Sequence, residues 1–397
     1  MISFANPNIT ICNSPRQVHI GDHASAKVGE LCKAWQIPAG SVLVVADREV
    51  AKLGLHHDLK ASLETAGFDV SVFDGIVGEP DLETATSLAR FSRERSYQAV
   101  AGIGGGSAMD MAKLAAALAT NVGEVRGYLG IVTFAKAPLP LVLIPTTAGT
   151  GAEATAVSML SVEGRKAIVL SPQLIPMAAV LDPVLALSLP AKVTAATGLD
   201  ALSHAFEAYM SLKSNPFTDA QAMTAIGIIA QWLKPAFDDG SNLEARRAMA
   251  FAAYLGGLSL NAGVVIGHSV AYTIANRTRL AHGTSCTMSL PYTILYNIPA
   301  ISERLTRLAA VVLNAPLATP ADLAQWIDDL NGYLGMPRSL KDIGVTADAL
   351  DDMVEECLTR YPRPTNPVEV TRDRLKVVYA KMYEGDVKGC AAALRAA

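Results

Sequence analysis

The sequence predicts an α/β N-terminal domain on a mostly parallel sheet, residues 1–187, followed by an all-helical C-terminal domain, residues 188–397. Three observations carry this. Short β-rich apolar runs alternate with helical patterns over the first ~185 residues, the signature of βαβ units. After Leu187 every strong pattern has helical spacing and no convincing strand appears. Between the two regimes lies VLDPVLALSLP (180–190), where two prolines interrupt the periodicity.

Each element has its own signal. SVLVVAD (41–47) is a short apolar run ending in an acid. DLKASLETAG (58–67) is an amphipathic helix closed by glycine. DVSVFDG (69–75) alternates like a strand, and DLETATSLARFSRER (81–95) reads as a helix. YQAVAGIGGG (97–106) is strand then turn, AMDMAKLAAALAT (108–120) is helical, and LPLVLIPTT (139–147) is another buried strand. Beyond the boundary, SLPAKVTAATGLDALSHAFEAYMS, DAQAMTAIGIIAQWLKPAF and EARRAMAFAAYLGGLSL are helical, as are the segments after Thr319. An α/β domain next to a helical one offers a cleft, a common place for a ligand.

Composition excludes several classes. Hydrophobic residues make up 51% and charged residues 18% of 397, which describes a globular chain rather than a disordered one. The net charge is −4 and no basic block is present, so nucleic acid is not an expected partner. The five cysteines are scattered, with no Cys-x-x-Cys pair, which fits a reducing compartment. MISFANPNIT lacks a basic region followed by an apolar run, so no secretory signal is expected and the expected location is the cytoplasm. Residues 248–276 contain no Asp, Glu, Lys or Arg and are long enough to span a bilayer. Asn261, His268, Asn276 and four glycines make a pair of buried helices the better reading.

AVAGIGGGSAMDMAK combines strand, glycine turn and helix. Gly104, Gly105 and Gly106 let backbone approach a ligand closely, and the following helix presents free N–H groups and a positive dipole end to a pyrophosphate. Ser107 is placed to cap that helix or to donate to a phosphate. A plain strand-to-helix turn would read the same way. The motif is not the usual dinucleotide fingerprint, because the acid able to hold a ribose hydroxyl, Asp47, ends an earlier strand. No P-loop sequence is present. A second turn, IPTTAGTGAEAT (144–155), offers the hydroxyls of Thr146, Thr147 and Thr150 among small residues.

Only seven histidines occur, and three of them, His204, His268 and His282, lie in apolar helical surroundings. GLDALSHAFEAY puts Asp200 and His204 four apart, on one helix face. With His268 and His282 they would form an Asp-plus-three-His set suited to Fe(II) or Zn(II). The plain alternatives are hydrogen-bonded core histidines and an aspartate that caps a helix, and spacing alone leaves the choice open.

Five stretches in order, GIGGGSAMDMAK, PTTAGTGAEAT, AVLDPVL, TGLDALSHAFEAY and the pair GHSVAY…AHG, resemble the iron-containing (group III) alcohol dehydrogenase family from about Pro15 to Tyr383. The resemblance implies a Rossmann-like dinucleotide-binding domain, a helical metal-binding domain in the dehydroquinate-synthase-like architecture, and a homo-oligomer, with a dimer expected. It assigns Asp200, His204, His268 and His282 to the metal. It assigns Gly104, Gly105, Gly106 and Ser107 to the cofactor pyrophosphate, with Asp110 a weaker match. Thr146, Thr147 and Thr150 fall near the nicotinamide and its ribose, and Lys166 contacts the cofactor. Asp47 matches the position that chooses between cofactors; an acid there would favour NAD over NADP.

One departure stands out. Many alcohol-oxidising members carry another histidine four residues after the third ligand, and here that position is Tyr272. Its hydroxyl could donate a proton or its ring could shape the pocket, and pocket-shaping is favoured. The implied activity is a metal-dependent, NAD(H)-linked alcohol dehydrogenase or aldehyde reductase acting on a small alcohol or aldehyde. The competitors are a maleylacetate-reductase-like enzyme or hydroxyacid–oxoacid transhydrogenase on the same fold, a dehydroquinate-synthase-like lyase, and a non-catalytic metal- or nucleotide-binding protein.

Overall fold

The computed structural model describes residues 10–278 and 280–396. Residues 1–9, where no secretory signal is expected, lie outside the described residues. The chain forms two compact units. One comprises Cys12–Leu189 with Ser241–Leu258; the other holds Pro190–Gly240 and residues 259–396.

In the first unit, β1 (Gln17–Ile20), β2 (Ser41–Asp47), β3 (Asp69–Ile76), β4 (Tyr97–Gly104), β6 (Leu141–Pro145) and β9 (Ala178–Leu181) form a six-stranded sheet. Its order is β1-β9-β6-β4-β2-β3 and every pairing is parallel. Side chains alternate between its two faces, as the period of two requires. Leu43, Val45 and Val100 face the helices Leu82–Phe91 and Gly106–Leu118. Val42, Val44, Ala99 and Ala101 face the helices Val28–Ala34 and His57–Thr65. Both faces are covered, which is why these strands read as continuous apolar runs rather than alternating ones.

The strand order has a functional consequence. From β2 the chain moves outward to β3, then returns to place β4 on β2's other side. This is the topological switch point of a doubly wound sheet, and ligands bind outside the carboxyl ends of the strands there. Those ends are Asp47 and Gly104.

Among the described residues, five strands escape the sequence reading: β1 and β9 of the six-stranded sheet, and three more. β5 (Gly130–Ile131), β7 (Val157–Val162) and β8 (Arg165–Leu170) make a small second sheet, with β7 and β8 antiparallel. Glu163 and Gly164 sit in the turn at positive φ, 53° and 73°. The hairpin carries mixed exposure and little apolar run, so its pattern is weak.

The second unit is helical throughout, as the periodicity predicts. Its main helices include Ala191–Met210, Pro216–Asp238, Ile266–Ala275 and His282–Val312. The units are not two consecutive stretches, however: residues 241–258, grouped by the sequence reading with the C-terminal domain, belong to the first unit. The cause is a backbone crossing that only glycines permit. A Cβ on Gly257 would lie 2.3 Å from the carbonyl oxygen of Gly151, and one on Gly151 would lie 2.5 Å from the Gly257 Cα. Arg247 adds an ion pair to Asp22 (Nε–Oδ1 3.0 Å), and Arg246 donates to the carbonyl of Leu189 at 3.2 Å. The uncharged stretch is thus shared between two helices, Leu243–Ser259 and Ile266–Ala275. Among the described residues no single helix is long and apolar enough to cross a membrane.

Candidate nucleotide and metal sites

At the switch point, Gly104 adopts φ +151°, a conformation that side chains rarely take, and the chain turns there into the helix Gly106–Leu118. Gly105 is that helix's N-cap and has no side-chain cap; the first turn carries no acid. Its first N–H groups therefore gain no cap from Gly105, and no acid of its own first turn offsets the dipole. Thr147 and Thr150 lie against the turn: a Cβ on Gly105 would meet the Thr147 side chain at 3.7 Å, and one on Gly106 would meet Thr150 Cγ2 at 2.8 Å. Thr146 donates its N–H to the Gly104 carbonyl at 2.9 Å. Distant in sequence, Asp47 arrives at the same spot, with Oδ2 2.7 Å from where a Gly104 Cβ would be. Its Oδ1 accepts from the Val50 N–H at 2.8 Å, so one oxygen caps a helix and the other faces the glycine turn. Ser107 begins the same helix. These residues form a cradle that any side chain on the glycines would fill, and its donors suit a pyrophosphate.

Asp110 and Lys166 stand differently. Asp110 is buried, and its oxygens accept from the Met159 N–H at 3.0 Å and from Lys113 at 3.3 Å, tying the helix to β7. Burial raises the Asp110 pKa, and burial lowers that of Lys113. Lys113 is fully buried; it also donates to Thr155 Oγ1 at 3.0 Å and to the Val157 carbonyl at 2.6 Å. Lys166, on β8, pairs with Glu79 at 2.6 Å.

In the helical unit, the helix Ala191–Met210 presents Asp200, His204 and Glu207 at i, i+4 and i+7, on one face. His268 lies in the first turn of Ile266–Ala275, and His282 begins His282–Val312. The donor atoms of Asp200, His268, His282 and Cys286 all lie within 4.8 Å of one another. His204 stands beside this group, its Nε2 3.8 Å from Asp200 Oδ1 and its ring stacked on that of His268 at 5.1 Å. The structure thus brings all four sequence-predicted ligands together and adds Cys286.

Close approach of two helices makes this possible. A Cβ on Gly283 would lie 2.2 Å from the Ala196 carbonyl and 2.8 Å from Asp200 Cβ, so only glycine lets the start of the His282 helix touch the Asp200 helix.

Glu207, like Cys286, is a residue that the sequence reading missed. Its Oε1 lies 2.6 Å from His268 Nδ1, and its Oε2 accepts the N–H groups of Val265 (2.9 Å) and His268 (3.2 Å). It caps one helix and fixes one imidazole at once. Burial pushes the Glu207 carboxyl up to about 8 and holds His268 well below its usual range, so the imidazole is neutral. With Nδ1 engaged, His268 Nε2 is left buried without a hydrogen-bond partner, as is His204 Nδ1. Buried polar atoms are seldom left so. A neutral imidazole, oriented by a carboxyl group and with its second nitrogen unmatched, is the usual state of a metal ligand.

Tyr272 stacks on His282, with ring centres 5.5 Å apart and planes 13° apart, and also packs on Tyr361. The Arg363 guanidinium lies 5.7 Å from its ring centre. Burial pushes the Tyr272 phenol up to about 12, so it stays a neutral hydroxyl at ordinary pH.

A doubly wound unit with an anion cradle at its switch point, and a helical unit with a buried carboxylate–imidazole cluster, describe a class of metal-containing dinucleotide oxidoreductases. Comparison with known proteins agrees. Residues 15–183 match the iron-containing alcohol dehydrogenase family and residues 194–383 match its C-terminal domain. The chain is 35% identical over 366 residues to long-chain-alcohol dehydrogenase 1 of Geobacillus thermodenitrificans, covering 89% of this chain and 92% of that one. It superposes on a crystal structure of 1,3-propanediol oxidoreductase with a TM-score of 0.88 at 31% identity, over 94% of this chain and all of the other. Sulfoacetaldehyde reductase from Bifidobacterium kashiwanohense, solved in complex with NAD+, gives 0.86 at 29% identity over 95% and 99%. The chain belongs to the iron-containing alcohol dehydrogenase family, a family of oxidoreductases.

Proposed function

We propose that the protein is a metal-dependent, NAD(H)-linked alcohol dehydrogenase or aldehyde reductase, with Fe(II) or Zn(II) held by Asp200, His204, His268 and His282. The single observation that carries this is His268, whose Nδ1 is fixed by Glu207 while Nε2 is buried and unmatched within a cluster of donors. A divalent ion held there supplies Lewis acidity toward a substrate oxygen, and NAD supplies the hydride acceptor.

The chain's own residues do the rest. Glu207 holds the orientation of His268 by engaging its Nδ1. The glycine turn and Ser107 offer N–H and hydroxyl donors to the cofactor pyrophosphate, and Thr146, Thr147 and Thr150 line the approach beside it. Asp47 Oδ2 accepts from the adenosine ribose and repels a 2′-phosphate, favouring NAD over NADP. The relative solved with NAD+ supports the cofactor. Tyr272 walls the pocket with a flat ring against His282.

A second reading concerns the substrate: an aldehyde or ketone bearing a carboxylate, as in maleylacetate-reductase-like or hydroxyacid–oxoacid chemistry. Arg363 beside Tyr272 favours it, since a guanidinium recognises a carboxylate. One assay tests both. Protein of measured metal content is given NADH and a panel of neutral and carboxylate-bearing aldehydes and ketones. Turnover that disappears in Asp200→Ala together with bound metal supports the proposal. Full turnover by Asp200→Ala in chelator-treated buffer would refute the metal assignment.

A further inference from the structure

The His282 helix carries a further donor one turn on. Residues i and i+4 share a helix face, and Cys286 Sγ accordingly sits 3.5 Å from His282 Nε2 and 3.9 Å from Nδ1. It is fully buried, and its sulfur belongs to the group of four donor atoms within 4.8 Å of one another. A second observation points to the same spot independently: His268, only 3% exposed, aims its unmatched Nε2 into that group.

We propose that Cys286 ligates the metal as a thiolate, making the centre a mixed carboxylate, imidazole and sulfur site. The inference rests on the metal reading above. In forming the bond the S–H is exchanged for an S–metal bond and one proton leaves to solvent; no electron moves. Charge balance favours the arrangement. Asp200 and a Cys286 thiolate together neutralise a divalent ion, whereas Asp200 with neutral imidazoles leaves a net positive charge in a buried place, which is costly. A thiolate also softens the donor set, shifting its preference from iron toward zinc and cobalt. Among the described residues, no other cysteine belongs to such a group of donors. Burial alone pushes Cys32 up to about 11, and Cys357 and Cys390 lie in the core as ordinary small apolar residues.

The test uses metal-stripped full-length protein reloaded with Co(II), whose spectrum reports sulfur ligation. Wild type is expected to show a sulfur-to-metal charge-transfer band in the near ultraviolet together with visible d–d bands. Cys286→Ser should lose the first and keep the second, and its zinc affinity in chelator competition should fall by at least about tenfold, the loss seen even for indirect partners. Cys286→Ala, checked for fold by circular dichroism, should behave likewise. Cobalt-loaded wild type without the charge-transfer band, or a serine variant matching wild type in spectrum and affinity, would overturn the proposal. Wild type that takes up neither cobalt nor zinc would instead sink the metal reading itself, and the sulfur ligand with it.

Discussion

Replacing Gly283 by alanine should loosen the candidate metal site with every ligand residue left in place. The added Cβ would lie 2.2 Å from the Ala196 carbonyl oxygen, and ordinary contact begins at 3.4 Å, so the start of the His282 helix must back away by about 1.2 Å (3.4 less 2.2). The obstacle is backbone, which cannot rotate aside. Overpacking of this kind costs about 1–3 kcal/mol of stability. The larger effect is on geometry: His282 is the neighbouring residue, and metal–donor distances tolerate only about 0.2 Å. Zinc or cobalt affinity, read by chelator competition, should fall at least about tenfold, or 1.4 kcal/mol. Gly227→Ala is the control. It lies inside another helix with nothing within 4 Å of its added Cβ, so it should leave affinity unchanged and raise stability by up to about 1 kcal/mol. A Gly283→Ala protein with wild-type affinity and denaturation midpoint would refute the claim that this contact sets the spacing of Asp200 and His282.

Three further outcomes are expected. Glu207→Gln keeps the size of the side chain but replaces the carboxyl that orients His268 with an amide, and should lower metal affinity by about 10–100-fold in the same competition assay. Asp47→Gly should weaken the preference for NAD over NADP in steady-state kinetics, and an unchanged ratio would mean that Asp47 does not meet the ribose. Glu153 is buried with Oε2 unpartnered, and burial raises its carboxyl from 4.5 to about 7. Between those values the unfolded chain has lost the proton and the folded one keeps it, so wild-type stability falls as pH rises through that window. The loss is about 3 kcal/mol once complete. In urea titrations the stability gain of Glu153→Gln over wild type should therefore be larger near pH 8 than near pH 4.5 by about that amount. A gain independent of pH would refute the shifted carboxyl.

Much of this was legible in the sequence, for identifiable reasons. β2 is bounded as the sequence reading has it, at 41–47, because an uninterrupted apolar run ending in a capping acid leaves little freedom. Asp200 and His204 share a face because helix geometry fixes four-residue neighbours. That rule also reaches Cys286 from His282, and Glu207 lies three residues after His204; the sequence reading weighed neither, since it sought ligands among the histidines and their nearest acid. The β7–β8 hairpin gave little signal, its strands being half exposed and short. The assignment of residues 241–258 was out of reach of periodicity altogether. Nothing in the local pattern signals that Gly257 meets Gly151, about a hundred residues earlier.

That crossing of glycines bears on how the protein is born. A ribosome releases the chain from its N-terminus, yet the sheet unit lacks its last helix until Leu258 has emerged, and by then Pro190–Gly240 of the other unit is already outside. The nascent sheet must wait with the Gly151 backbone and Asp22 uncovered while a foreign segment passes. The sheet unit is therefore completed only after Pro190–Gly240 of the other unit has emerged. Residues 1–189 alone hold every described strand of the unit but lack the helix Leu243–Ser259 that the later half delivers.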